Sequence, residues 1–167
     1  MLVSKEAVKE LRDKTGAGVL ECKKALLEAE GDLINAIAIL KERGLLLAEK
    51  KAERVTREGL IEAYIHTGGR IGALVEVNCE TDFVARTGEF KQLAHDLAMQ
   101  VTATAPRFIS LDEVGEEEDP TEVCLLLQPF IKEPEKRVQD IITEAKARLG
   151  ENIRVRRFAR FQLEEEE

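Results

Sequence analysis

Three cysteines and two histidines are the residues of this 167-residue chain best suited to covalent or metal chemistry. Cys22, Cys79 and Cys124 are odd in number and widely spaced, so neither a disulfide framework nor a CxxC zinc site can be read from them. Reduced thiols in a reducing compartment fit better. A hydrolase would need Cys79 or Cys124 beside His66 or His95, and nothing in the spacing sets a nucleophile next to a base. No GxxxxGK[ST] phosphate loop is present, so the chain is not expected to bind a nucleotide itself, and no cofactor or metal is expected. What is left is binding through side chains. The segment Thr81-Asp82-Phe83-Val84 is the first candidate. On residue type alone Thr81 caps a short turn, Asp82 sits beside free backbone N–H groups and Phe83 is buried, because Phe is mostly an interior residue.

The elements that would carry these residues follow from hydrophobic period and punctuation. Residues 1 to about 50 predict three short helices. The first carries Val8 and Leu11 and stops at Gly16. The second runs from about Gly18 to Glu30 with Cys22, Ala25, Leu26 and Ala29 on one face. The third is capped by Asp32, carries Leu33, Ile34, Ala36, Ile37 and Leu40, and ends at Gly44. So small a bundle has little core of its own and is suited to docking on a neighbour. Residues 45 to 57 favour a charged helical linker. Leu60–Ile65 and Ile71–Val77 predict two strands joined through His66-Thr67-Gly68-Gly69-Arg70. An odd loop, of three or five residues, would put Ile61, Ala63 and Ile65 on the face of Ile71, Ala73, Val75 and Val77, and that register is the expected one.

After Cys79 the helical period returns. Thr87 caps a helix with Phe90, Leu93, Ala94, Leu97, Ala98 and Val101 inward, ending before Pro106. Residues 107 to 120 read as a loop, and Asp119-Pro120 as the start of a short helix. A helix is expected to open at Glu133-Pro134-Glu135 and close at Gly150. Ile153, Val155, Ala159 and Phe161 then alternate as one face of a last strand, with Arg157 interrupting it. Glu164 to Glu167 read as a solvated tail. The fold class expected is α+β: a three-helix domain over residues 1–52, then a three-stranded antiparallel sheet covered by helices over residues 53–167.

Charge and hydropathy narrow the partners. With a formal net charge of −8 the whole surface is unsuited to nucleic acid, which is bound through dense Lys and Arg. Arg154, Arg156, Arg157 and Arg160 form a basic cluster, but with Tyr64 and six Phe as the aromatic residues it is better read as a salt-bridged strand surface. The apolar runs are far too short to span a bilayer and the start of the chain lacks a long apolar segment. A cytoplasmic protein with a protein partner is expected, with no direct contact to nucleic acid or membrane.

Four motifs carry a family resemblance. Leu11-Arg12-Asp13-Lys14-Thr15-Gly16-Ala17-Gly18 with Glu21–Leu26, then Val77–Arg86, then Gln128-Pro129-Phe130-Ile131, then Gly150-Glu151-Asn152-Ile153, resemble elongation factor Ts signatures in family order. The resemblance implies a ubiquitin-associated-like N-terminal domain and an α+β dimerisation core. It implies a non-enzyme that binds elongation factor Tu, weakens its hold on GDP and magnesium, and leaves when GTP arrives. Thr81, Asp82, Phe83 and Val84 would dislodge the partner's magnesium, with Phe83 an exposed wedge, which reverses the buried reading above. Asp82 would repel phosphate or attract a cation of the partner. Arg12, Val19, Leu20 and Lys23 would touch the partner's nucleotide-binding domain. Val19 and Leu20 stand where Met pairs are common in the family; residue pattern alone places Leu20 in the bundle core and Lys23 on a solvated face. Longer members carry two core repeats, and short members pair as homodimers. Ala159 lies where some short relatives have Cys, so no intersubunit disulfide is expected there. The competing reading is a non-catalytic adaptor that binds partners through its helical domain and needs no exposed Phe83.

Overall fold

The computed structural model describes residues 3–164; most of the expected Glu164–Glu167 tail lies outside the described residues. Three helices come first: α1 (Lys5–Thr15), α2 (Val19–Glu28) and α3 (Leu33–Lys51). Ser4 accepts a hydrogen bond from Ala7 N at the start of α1, and Asp32 accepts one from Asn35 N at the start of α3. Helix α1 stops at Gly16, whose φ of 68° lets its N–H turn back to Arg12 O. Their shared core is Leu11 and Leu26 packed among the smaller Cys22, Ala25, Ala29 and Ala36.

Helix α3 does not end at Gly44 as expected but continues to Lys51. A Cβ at Gly44 would lie 3.3 Å from Ala147 Cβ, so the glycine marks where α3 crosses α7 (Val138–Leu149), not where it stops. Packing against that neighbour outweighs the roughly 1 kcal/mol propensity cost of a mid-helix glycine.

The rest is built on a three-stranded antiparallel sheet in the order β1 (Glu58–Ile65), β2 (Ile71–Cys79), β5 (Arg154–Gln162). Helix α4 (Asp82–Ala85), α5 (Gly88–Thr104) and α7 lie on its inner face, with Phe90, Leu97, Ala98, Val101, Val138 and Ile142 packed on Ala73, Val75 and Val77. Helix α6 (Pro120–Val123) opens at Asp119, whose carboxylate accepts from Thr121 N, and Pro120 takes its first position.

The β1–β2 register corrects the expected one. Ile65 lies opposite Gly72 and Ile61 opposite Glu76, and His66 N donates to Ile71 O, leaving the four-residue loop Thr67–Arg70. An even loop sets the opposite phase, so Leu60 and Tyr64 pack inward while Ile61, Ala63 and Ile65 face out. Hydrophobic alternation pointed to the wrong face, because Ile61, Ala63 and Ile65 are all apolar whereas Glu62 lies between the inward Leu60 and Tyr64.

The last strand carries a second correction. A bulge opposite Glu76/Val77 leaves Arg156 unpaired and shifts the phase by one residue. Val155 and Ile153 are buried, whereas Arg157, Ala159 and Phe161 all point to the outer face. Phe158 takes the inner side. Arg157 and Arg156 both reach the Glu76 carboxylate, at 2.7 and 3.2 Å, and the Arg157 hydrogen bond chiefly holds that carboxyl below its usual range.

The Glu133 helix start is a third correction. Residues Glu133–Arg137 form β4, paired with β3 (Pro129–Phe130), and α7 begins only at Val138. Asp140 accepts from Arg137 N and supplies the cap that Glu133-Pro134 had suggested. The Gln128-Pro129-Phe130 motif is structural here. Buried Gln100 donates to Gln128 Oε1 and Pro129 O and accepts from Ile131 N, while Phe130 enters the core.

Candidate functional site

The turn after β2 is set by the residues on either side of it. Cys79 ends the strand fully buried and donates its thiol to Thr81 O at 3.2 Å. Thr81 caps α4 by accepting from Val84 N, and Thr87 ends the turn with a bond from its hydroxyl to Val84 O before capping α5 through Phe90 N. Val84 and Ala85 are both buried against the sheet core. With about 100° of rotation per residue, two successive inward positions turn the preceding residue outward. Phe83 is accordingly 78% exposed, against the buried placement that residue type favours.

Asp82 is held by Arg86 at 2.9 Å across one helical turn, a solvated pair. Asp82, Phe83, Arg86 and Thr87 line a shallow depression of about 420 Å³. The site is therefore an aromatic ring presented on a short, doubly anchored turn, flanked by one acid and one base. Burial of such a ring by a partner is worth about 2–3 kcal/mol.

The second group lies on α1 and α2. Arg12, Val19, Leu20 and Lys23 are all exposed, with Val19 at 55% and Leu20 at 64%. Leu20 is thus outside the bundle core that residue pattern alone assigned it. Leu27, seven residues after Leu20, is exposed on the same stripe. The repeat at i, i+7 from Leu20 is the signal that could have found Leu27, which the sequence reading did not single out.

The two groups stand on different elements, Phe83 after β2 and the apolar pair at the start of α2. The three cysteines are buried and free. Cys79 and Cys124 each give their thiol to a backbone carbonyl, Thr81 O and Ile109 O. His95 Nδ1 faces Glu62 at 3.1 Å and His66 Nδ1 faces the Tyr64 hydroxyl, so neither histidine is directed at a thiol. Among the described residues no cluster of three or more His, Cys, Asp and Glu is placed to hold a metal.

A family model described as elongation factor Ts matches residues 3–120. The chain belongs to the elongation factor Ts family. Elongation factor Ts of Heliobacterium modesticaldum is 50% identical over 196 aligned positions, covering 98% of this chain and 91% of the relative. That of Carboxydothermus hydrogenoformans is 46% identical, covering 98% and 90%. That of Thermosynechococcus vestitus is 48% identical over 98% of this chain but only 66% of the relative. Each alignment is longer than the 167-residue chain, so these elongation factor Ts relatives carry internal residues that this member lacks. Both the Val77–Arg86 segment, which holds Phe83, and the α1–α2 segment fall within the stretch matched by the elongation factor Ts model.

Proposed function

We propose that this chain promotes release of GDP from elongation factor Tu by inserting Phe83 where the partner holds magnesium and phosphate, so that GTP can follow. The exposed ring on a turn anchored by Val84 and Ala85 is the observation that carries this reading. A folded chain that leaves its most exposed aromatic on a rigid support stabilises a complex in which the ring is buried. The coupling is reciprocal. A factor that favours the opened nucleotide site lowers nucleotide affinity, and bound nucleotide lowers affinity for the factor by the same ratio. Each tenfold acceleration needs about 1.4 kcal/mol, so one ring supplies only part of a large effect. Thr81 and Val84 fix the turn, and Asp82 adds either repulsion toward phosphate or attraction for a partner cation.

Arg12, Val19, Leu20 and Lys23 form the second contact, on the partner's nucleotide-binding domain. Residues 1–52 act as a ubiquitin-associated-like docking domain and residues 53–167 as the core domain, in a non-enzyme of the cytoplasm. The core pairs with a second copy through the uncovered sheet face, where Ile61, Ala63, Ile65, Leu74, Ala159 and Phe161 are exposed side by side. Such a face suits a two-fold, self-complementary contact, and the Glu76–Arg157 pair at one end of it gives the contact a polar border.

The test is stopped-flow release of a fluorescent GDP from elongation factor Tu. Phe83→Ala is expected to slow the maximal release at least about tenfold with the melting temperature unchanged, since the lost ring is solvated. Binding to elongation factor Tu by a wild-type protein that leaves GDP in place would instead select the adaptor reading.

A further inference from the structure

The two residues at the α7–β5 corner reach both the Phe83 turn and the segment that leaves the helical domain. Glu151 Oε2 accepts from Glu80 N at 2.9 Å and Thr81 N at 3.0 Å, and Glu151 Oε1 accepts from the Thr81 hydroxyl at 2.5 Å. The Thr81 hydroxyl has one proton. With it directed to Glu151, the oxygen's lone pair is left to accept from Val84 N, the bond that starts α4. One carboxylate thus orients the cap that orients the turn carrying Phe83.

Asn152, fully buried, works on the other side. Its Nδ2 donates to Ala52 O at 3.2 Å and Arg54 O at 2.8 Å, in the linker between α3 and β1. Its backbone N–H donates to Glu80 Oε1 at 2.7 Å, and Lys51 Nζ, at the end of α3, reaches Gly150 O at 2.7 Å. Arg54 also lies 3.7 Å from Glu80 Oε1. The linker and the turn are about 25–30 residues apart in sequence, yet both are fastened to the same corner, about 70 residues beyond the turn and about 100 beyond the linker, by bonds that include charge-assisted ones.

We propose that Glu151 is the positioning residue of the Phe83 turn, and that Asn152 beside it ties the linker to the same corner, so that the helical domain and the wedge meet the partner as one rigid unit. This rests on the exchange reading above. Surface ion pairs hold little, but a carboxylate that accepts three bonds from one turn removes the freedom of that turn, and a wedge held in its bound geometry loses less on binding.

The experiment is a double-mutant cycle in the full-length protein, read by stopped-flow release of fluorescent GDP across a range of factor concentrations. Glu151→Ala is expected to lower the maximal release rate about tenfold with the half-saturating concentration within about twofold. In the Phe83→Ala background the same change is expected to cost under about twofold, because a misplaced ring and an absent ring are equivalent. An equal loss in both backgrounds, or no loss with Phe83 present, overturns the positioning role. Full activity of Phe83→Ala by itself overturns the exchange reading and the positioning with it. Should Glu151→Ala not fold, Glu151→Gln, which puts an NH2 donor where one carboxylate oxygen accepts and leaves the Thr81 cap on Val84 N in place, carries the same direction of change. For the linker arm, Asn152→Ala is expected to speed tryptic cleavage after Arg54 and Arg57 several-fold, while Glu151→Ala leaves it unchanged; equal rates for Asn152→Ala and wild type overturn that arm.

Discussion

Cys79 shows what a single buried group contributes. It is fully buried at the end of β2 and its thiol is pushed up to about 11, by burial first and then by the negative charge of Glu151. The unfolded thiol ionises near pH 8.5, so between the two values the unfolded state releases a proton that the folded state keeps. The contribution is therefore complete below the unfolded value and is lost as the pH rises through the folded one, a swing of roughly 3 kcal/mol. Urea unfolding at about pH 8 and about pH 10.5 is expected to show wild type losing about 2 kcal/mol more than Cys79→Ala over that interval. Parallel curves would remove the raised thiol from the account. The same residue explains why a reactive cysteine is the wrong role for this position: a thiol that stays protonated is a poor nucleophile.

Among the elements, α3 and α7 decide how the helical region sits on the sheet region. A Cβ at Gly44 would lie 3.3 Å from Ala147 Cβ, so even a methyl group is tight at this crossing. Gly44→Leu is expected to push α3 off α7 and cost about 1–3 kcal/mol in urea unfolding. Gly44→Ala should stay within about 1 kcal/mol, because the better helix propensity offsets the close contact. If Gly44→Leu unfolds like wild type, the contact between these helices is not what holds the crossing. The tie of Lys51 to Gly150 and of Asn152 to the linker would then carry the attachment.

At the scale of the whole molecule, the outer sheet face has no covering element among the described residues. Leu74 lies at its middle, on the central strand between Ala63 and Ala159, and half of its surface is open. A carboxylate there would have to be buried in any face-to-face pair, at a cost of several kcal/mol. Wild type is expected to sediment as a dimer and Leu74→Asp as a monomer with unchanged helical and strand content. A monomeric wild type at micromolar concentration would leave that face for another partner. The Phe83 turn follows β2 and is not part of this sheet.

What could be read from the residues alone was local. The caps at Asp32, Thr81, Thr87 and Asp119, the inward stripe of α5 and the three-helix start follow from spacings of three and four residues, and they stand as expected. The four family motifs were equally legible, because they are strings. The three-stranded antiparallel sheet under helices was anticipated too, but the registers and crossings set by distant neighbours were not. The phase of β1 and β5 was set by an even loop and by a bulge at Arg156, and Gly44 became a crossing point because Ala147 arrived beside it. Phe83 points outward because Val84 and Ala85 both found the sheet core, a choice that composition would have made the other way. Glu151 stood inside a recognised motif yet had no role until folding set it beside a threonine 70 positions away. Short-range hydrogen bonding and periodicity act within a few residues, whereas burial is decided by which surfaces meet, and only the assembled chain determines that.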